Sequence, residues 1–148
     1  MPDEHFSSAA ALEAYLHERG ILASRHLGGN ASIELLSAGS CRFRRWPGEG
    51  ELRLGIPTGP TMFLTADAAA LVMALSRLAP GSGAVTSSAT ITFLRRPTAG
   101  PLAGEATLLK FGPRLVVSDI RVTDQAETEV AHALISCVPT LARPVPDQ

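Results

Sequence analysis

Residues 58–75 read TGPTMFLTADAAALVMAL, and this stretch decides the fold. It opens on Pro57-Thr58-Gly59-Pro60, which breaks any preceding extended run. Pro60 suits the first position of a helix, where its missing N–H would have no partner in any case. The helix predicted over residues 61–78 carries Met62, Phe63, Leu64, Ala66, Ala69, Leu71, Val72, Met73 and Leu75, so apolar residues fall on every side. Such a helix is expected to be enclosed by other structure. Ala79-Pro80-Gly81-Ser82-Gly83 ends it.

Downstream, four runs of strand character cover residues 85–95, 102–111, 115–123 and 128–138. The breakers between them, such as Gly100-Pro101 and Gly112-Pro113, are short, which argues for antiparallel neighbours joined by hairpins. In the first run Val85, Ala89, Ile91 and Phe93 share one parity, while Thr86, Ser88, Thr90 and Thr92 take the other. One face is therefore expected on the core and one left polar.

Upstream, residues 7–19 fit a short amphipathic helix, with Ser7 or Ser8 as cap, Ala11, Leu12, Tyr15 and Leu16 at helical spacing, and Gly20 as stop. After Gly28-Gly29-Asn30, residues 33–46 and 51–56 read as two extended pieces separated by the turn Pro47-Gly48-Glu49-Gly50. The segment LARPVPDQ, residues 141–148, has no pattern and is expected to fray. One long helix with several antiparallel strands is an α+β arrangement. Curling the sheet around the helix is the simplest way to bury an all-apolar helix.

With 148 residues, 45% of them hydrophobic, the chain is expected to form one domain with its own core. Thirteen Lys and Arg against fourteen Asp and Glu leave a formal charge of −1, so no global basic field exists to hold nucleic acid or an anionic membrane. Cys41 and Cys137 are too far apart in sequence for a CxxC redox pair or a zinc knuckle, which fits a reduced cytoplasmic protein. Asp3 and Glu4 stand where a secretory signal would carry basic residues, and no apolar run is expected to span a bilayer.

Asp67 does not fit its surroundings. Its neighbours at three and four steps are Phe63, Leu64, Ala70 and Leu71, all apolar. A carboxylate placed there loses hydration, which marks it as a candidate acid, base or nucleophile. The alternative is that it accepts hydrogen bonds from buried backbone or a Thr and fixes helix packing. Gly59 adds weight to the chemical reading, because the first N–H groups of a helix lack internal partners and can receive an oxyanion. Eight residues separate the two, about 12 Å along one helix, so they cannot both touch one reacting carbon. Cooperation would require Gly59 of one subunit and Asp67 of another, with two helices antiparallel across a two-fold axis.

Together with TITFLRRP at residues 90–97, Gly100, Gly112-Pro113-Arg114 and Val130-Ala131-His132-Ala133, the helix motif resembles the PaaI-like hotdog-fold acyl-CoA thioesterases over residues 51–138. The resemblance implies a hotdog domain over residues 1–148: an antiparallel sheet wrapped on one long helix, an additional N-terminal helix and loop over residues 1–30, and a flexible tail at 140–148. It implies acyl-CoA as substrate, no cofactor, no metal, and a homodimer that can pair into a homotetramer. It assigns Asp67 as nucleophile or general base and Gly59 as the donor to the thioester carbonyl. Thr58 stands where the family has His, and Pro60 replaces the second Gly of its His-Gly-Gly, so an imidazole and a second N–H are absent. A weakly active or inactive acyl-CoA-binding homo-oligomer is therefore the alternative function.

The acyl group is expected in an apolar tunnel between subunits lined by Phe63 and Leu64, and Thr58 and Thr61 are further candidate substrate-binding residues. Among strand-end basic residues Arg95, Arg96, Lys110 and Arg114, the pair Arg96 and Arg114 is chosen for the coenzyme A phosphates. Arg42, Arg44 and Arg45 with Trp46 read as a charged edge strand. His132 reads as a packed structural histidine. No His follows Asp67 closely, which disfavours a hydratase. The serines lack a nucleophile-elbow frame, and no phosphate loop or dinucleotide fingerprint occurs.

Overall fold

The computed structural model describes residues 5–22 and 30–140. In chain order they form α1 (Ala9–Glu18), β1 (Ala31–Leu36), β2 (Ser40–Arg45), the two-residue strands β3 (Leu52–Arg53) and β4 (Ile56–Pro57), α2 (Gly59–Arg77), β5 (Gly83–Phe93), β6 (Leu102–Phe111), β7 (Val116–Thr123) and β8 (Glu129–Thr140). Six strands make one antiparallel sheet in the order β1-β2-β6-β7-β8-β5. The sheet wraps α2, which lies against β2, β5, β6, β7 and β8, and this is the hotdog arrangement.

Small residues allow that wrapping. A side chain at Gly104 on β6 would put its Cβ 2.7 Å from the Ala69 Cβ and 3.1 Å from the Thr65 carbonyl oxygen, so β6 approaches α2 at a contact only Gly permits. Ala66, Ala69, Ala70 and Ala74 supply the matching low face of the helix, and all are buried. Leu12 and Leu16 of α1 and Leu22 join the same core as Phe43, Val72, Met73, Ile120 and Ile135. At the helix entry Thr58 is the N-cap, its Oγ1 accepting from the Thr61 N–H, and Pro60 occupies the first turn.

Several expectations change. Residues 33–46 are not one extended piece but the hairpin of β1 and β2, so β1 is the edge and the arginines of β2 lie one strand in. Residues 51–56 hold only the tiny β3–β4 hairpin, whose tip puts Leu54 and Gly55 at positive φ, 54° and 77°. In β5 a bulge at Ser87 switches the inward parity. Ala84 and Thr86 face inward before it and Ala89 and Ile91 after it, whereas Val85 turns outward and is 60% exposed. The two parities read from the sequence therefore do not hold along the whole strand.

Nor is α2 enclosed on every side. Phe63, Leu64, Asp67 and Leu71, related by three- and four-residue steps, are only half-buried and form an open stripe. Contrary to the reading of the apolar runs, α2 has the length and hydropathy of a membrane-crossing segment, but 67% of that segment is buried inside the protein. Gly28-Gly29, His26 and the tail from residue 141 lie outside the described residues.

Candidate active site

The open stripe of α2 forms one wall of an apolar groove lined by Gly59, Pro60, Phe63, Leu64, Asp67 and Phe93. Its volume, about 510 Å³, is within the range of small-molecule sites. Asp67 is held from the sheet side: the Thr86 hydroxyl donates to its Oδ1 at 2.6 Å. Oδ2 has no protein donor among the described residues. This matches the structural alternative for Asp67 in part, since a Thr does bond it, yet the carboxylate still borders the groove. Thr86 faces inward only because of the bulge at Ser87, so sequence parity assigned it to the polar face and missed it.

Gly59 begins α2. Its N–H has no acceptor among the described residues, as expected for a first-turn amide. The Phe93 ring covers its Cα side, where a Cβ would meet the ring at 3.7 Å, an ordinary contact. Gly59 and Asp67 thus mark two ends of one groove on one helix, about 12 Å apart along its axis.

Beneath the helix entry lies a buried polar network. Arg45, fully buried, pairs with Glu51 through Nη2 and Oε1 at 2.6 Å. The Glu51 carbonyl then accepts from the Thr61 hydroxyl at 2.7 Å and from the Thr58 hydroxyl at 3.4 Å. Thr61 is buried, and its hydroxyl is committed to the backbone, so the expectation of a substrate contact there is corrected to a role in seating the helix. Thr58 is likewise engaged as cap, although it also borders a neighbouring cleft.

That cleft, about 480 Å³, runs past Gly59 and Pro60 and is flanked by Arg53 and Arg96. Arg96 is therefore at the Gly59 end, and Arg53, hidden in what read as a strand, joins it. Arg114 is not. It sits in the β6–β7 turn beyond Phe111, whose ring lies under Arg77 at the C-terminus of α2. The expected Arg96–Arg114 pair is thus split between opposite ends of the protomer, because β6 carries the chain away from Gly59 toward the far end of α2.

The other candidates resolve into structural roles. Arg42 pairs with Glu34, Glu105 and Glu127, and Arg44 with Glu34, an ion-pair network on the sheet's outer face rather than an edge-strand charge array. His132 is not packed in the core. It stands on the outer face, its Nε2 2.6 Å from Asp119 Oδ1 and its Nδ1 2.9 Å from Glu129 Oε1. Hydrogen bonds to Glu129 and Asp119 raise its pKa against a smaller opposing effect of burial. Both cysteines are buried free thiols. Burial pushes Cys41 up to about 12, and burial followed by the nearby Asp67 charge raises Cys137, so neither is a ready nucleophile.

Comparison with known proteins places these features among relatives. The sequence pattern of the thioesterase superfamily matches residues 54–131. A candidate thioesterase of known structure from a Silicibacter species is 32% identical, covering 95% of this chain and 96% of its own, with a TM-score of 0.81. The PaaI protein of the Escherichia coli phenylacetic acid degradation operon is 24% identical over 88% of this chain and 92% of its own, TM-score 0.72. A hypothetical thioesterase from Streptococcus pneumoniae, solved with coenzyme A, is 19% identical over 86% and 98%, TM-score 0.71. The last two share the fold. No curated protein matches the chain.

Proposed function

The chain belongs to the thioesterase superfamily and is a thioester hydrolase, and from that premise we propose that it cleaves acyl-CoA at a site shared by two protomers. One observation carries the reading: a carboxylate anchored by Thr86 and an unpaired helix-entry amide border the same apolar groove, too far apart to serve one carbon within one chain. The partner's Asp67 facing Gly59 removes the difficulty.

The exposed edge of β5 supplies the means. It is an eleven-residue strand that among the described residues pairs on its β8 side alone, and a long bare edge invites a second strand. Thr86 touches Asp67 while Phe93 lies beside Gly59 in the groove lining. A two-fold axis midway between residues 86 and 93, beside Ala89 and Thr90, brings each Asp67 toward the opposite Gly59 and generates two sites at once. Phe63 and Leu64 of both protomers then wall the acyl group, and Arg53 and Arg96 flank the cleft by which the anionic coenzyme A portion enters.

In this geometry the Gly59 N–H polarises the thioester carbonyl. The Asp67 carboxylate adds to the carbonyl carbon, or takes a proton from a water that adds, and the oxyanion forms against Gly59. The C–S bond then breaks and coenzyme A departs as thiolate. Where Asp67 has added, an acyl–Asp67 anhydride remains and one water hydrolyses it; where water has added, the free acid forms in that same step, the proton taken by Asp67 passing to the thiolate. A second reading, acyl-CoA binding without hydrolysis, draws on Thr58 being committed as cap and on Pro60 having no N–H. The test is thiol release from short, medium, long and aromatic acyl-CoAs by the wild type and Asp67→Ala. Hydrolysis lost in a folded variant supports the hydrolase, tight binding without release in the wild type supports the second reading, and an unchanged rate in the variant removes Asp67 from the chemistry.

A further inference from the structure

At the other end of α2, eighteen residues and about 27 Å from Gly59, Arg77 carries a charge that no carboxylate among the described residues pairs with. Its guanidinium stacks over the Phe111 ring at 5.5 Å and the residue is only 9% exposed. Nε and Nη1 are buried with no hydrogen-bond partner, and no carboxylate pairs with Arg77 among the described residues. A guanidinium stays ionised and offers five N–H donors, so burying it without an acceptor is strongly unfavourable unless an anion joins it.

The space for one is present. Arg77 lines a cavity of about 80 Å³ whose opposite wall is Ser7 and Ser8 at the start of α1 and Ser37 in the β1–β2 turn. One water needs roughly 10–15 Å³ on this measure, so a tetrahedral oxyanion fits. At the α1 entry Ser8 satisfies the amides of Ala11 and Leu12, which leaves those of Ala9 and Ala10 without intrahelical acceptors at the positive end of the helix. Among the described residues no acidic side chain lines the cavity. Two elements distant in sequence, the C-terminal turn of α2 with Arg77 and the entry of α1, therefore border one small space with positive potential.

We propose that this cavity is a phosphate-binding site separate from the groove, with Arg77 as its cation and the α1 N-terminus and Ser7 as its further donors. The bound group is either a free phosphate or a phosphate monoester such as the 3′-phosphate of coenzyme A.

Thermal melts and calorimetry of the full chain with sodium phosphate, against sodium chloride at equal ionic strength, test the site without reference to hydrolysis. Phosphate is expected to raise the Tm of the wild type and to bind saturably. Arg77→Met should weaken binding at least about tenfold. Ser7→Glu should also abolish it while raising the Tm of the phosphate-free protein, because its carboxylate fills the cavity beside the helix terminus. If Arg77→Met does not fold, Ser7→Glu decides alone. Absence of a phosphate-specific rise at millimolar concentration, or a rise that persists in Ser7→Glu, overturns the proposal. Coenzyme A and 3′-dephospho-coenzyme A separate the sources. Tighter binding of the former that vanishes in Ser7→Glu assigns the site to the substrate's own phosphate, and equal binding assigns it to free phosphate.

Discussion

The Thr86 hydroxyl on β5 donates a 2.6 Å hydrogen bond to Oδ1 of Asp67 on α2, tying the carboxylate to the sheet edge proposed to meet the second protomer. One contact thereby fixes both the direction of the carboxylate and its position relative to the dimer axis. Thr86→Val keeps the shape and removes the donor, so the fold should persist while kcat falls by about tenfold to a hundredfold, on the order of 1.4–3 kcal/mol of lost orientation. Thr86→Ser should restore most of the rate. Steady-state thiol release by the three proteins, with circular dichroism as the control, checks this; equal rates for Val and wild type would leave the hydrogen bond structural.

Gly59 allows an N–H to be deleted without a steric confound. A Cβ there meets Phe93 only at ordinary contact distance, so Gly59→Ala should fold and retain much of the activity. Gly59→Pro removes the amide hydrogen at a helix position that accepts proline, and kcat should drop about 10²- to 10³-fold, the usual loss of one oxyanion donor. Sharing of the site gives a sharper outcome. Gly59→Pro and Asp67→Asn should each retain at most about a hundredth of the rate alone, but equal mixing after dissociation should return about a quarter of wild-type activity, because half the dimers are hybrids with one intact site. No recovery, with hybrids demonstrated by mass spectrometry, would place both groups in one chain.

Much of this was legible in the chain itself. The helix of residues 59–77 announces its start through Thr58 and Pro60 and its burial through its alanines, and strands β6 to β8 are bounded by Gly and Pro breakers. Asp67 is conspicuous by contrast with its neighbours. What escaped has a common cause, a local irregularity that shifts parity or register. The bulge at Ser87 turned Thr86 inward and Val85 outward, and the short turn at residues 37–39 made two strands of one run. Position along the fold escaped as well: Arg96 and Arg114 both follow strand ends, but alternate strands run in opposite directions, so those ends lie on opposite sides of the protein.

The Arg45–Glu51 pair holds the helix entry from below, since the Glu51 carbonyl carries both Thr58 and Thr61 hydroxyls. Glu51→Ala would leave Arg45 buried without a counter-charge and should cost about 3 kcal/mol, the lower end for breaking a buried pair, read from urea midpoints at unchanged m. Arg45→Met, which removes the charge and keeps the volume, should cost less. The order of the two variants matters more than either value, and a reversal would mean that Arg45 finds another partner when Glu51 is gone.

Two titrating groups bound the pH range of stability from opposite sides. For Asp124, burial opposes ionisation, but hydrogen bonds from Thr98, Thr128 and Ala126 outweigh it and hold the pKa below the usual carboxylate value. A depressed value in the folded state means the contribution is complete above the unfolded pKa near about 3.9 and is lost as pH falls through the folded one. His132 has the reverse sign. Bonded to Glu129 and Asp119, its pKa is raised, so its contribution is complete below about 6.5 and is lost as pH rises through the folded value. His132 is partly exposed, which limits the size of its effect. Urea denaturation across the pH range should therefore show the wild type weakening below about 4 and, more gently, above about 6.5. His132→Gln should flatten the alkaline slope and Asp124→Asn should lessen the acidic one, to which Glu34 and Glu129, also held below the usual carboxylate value, contribute, and a His132→Gln protein that still loses stability on the alkaline side would assign that slope to another group.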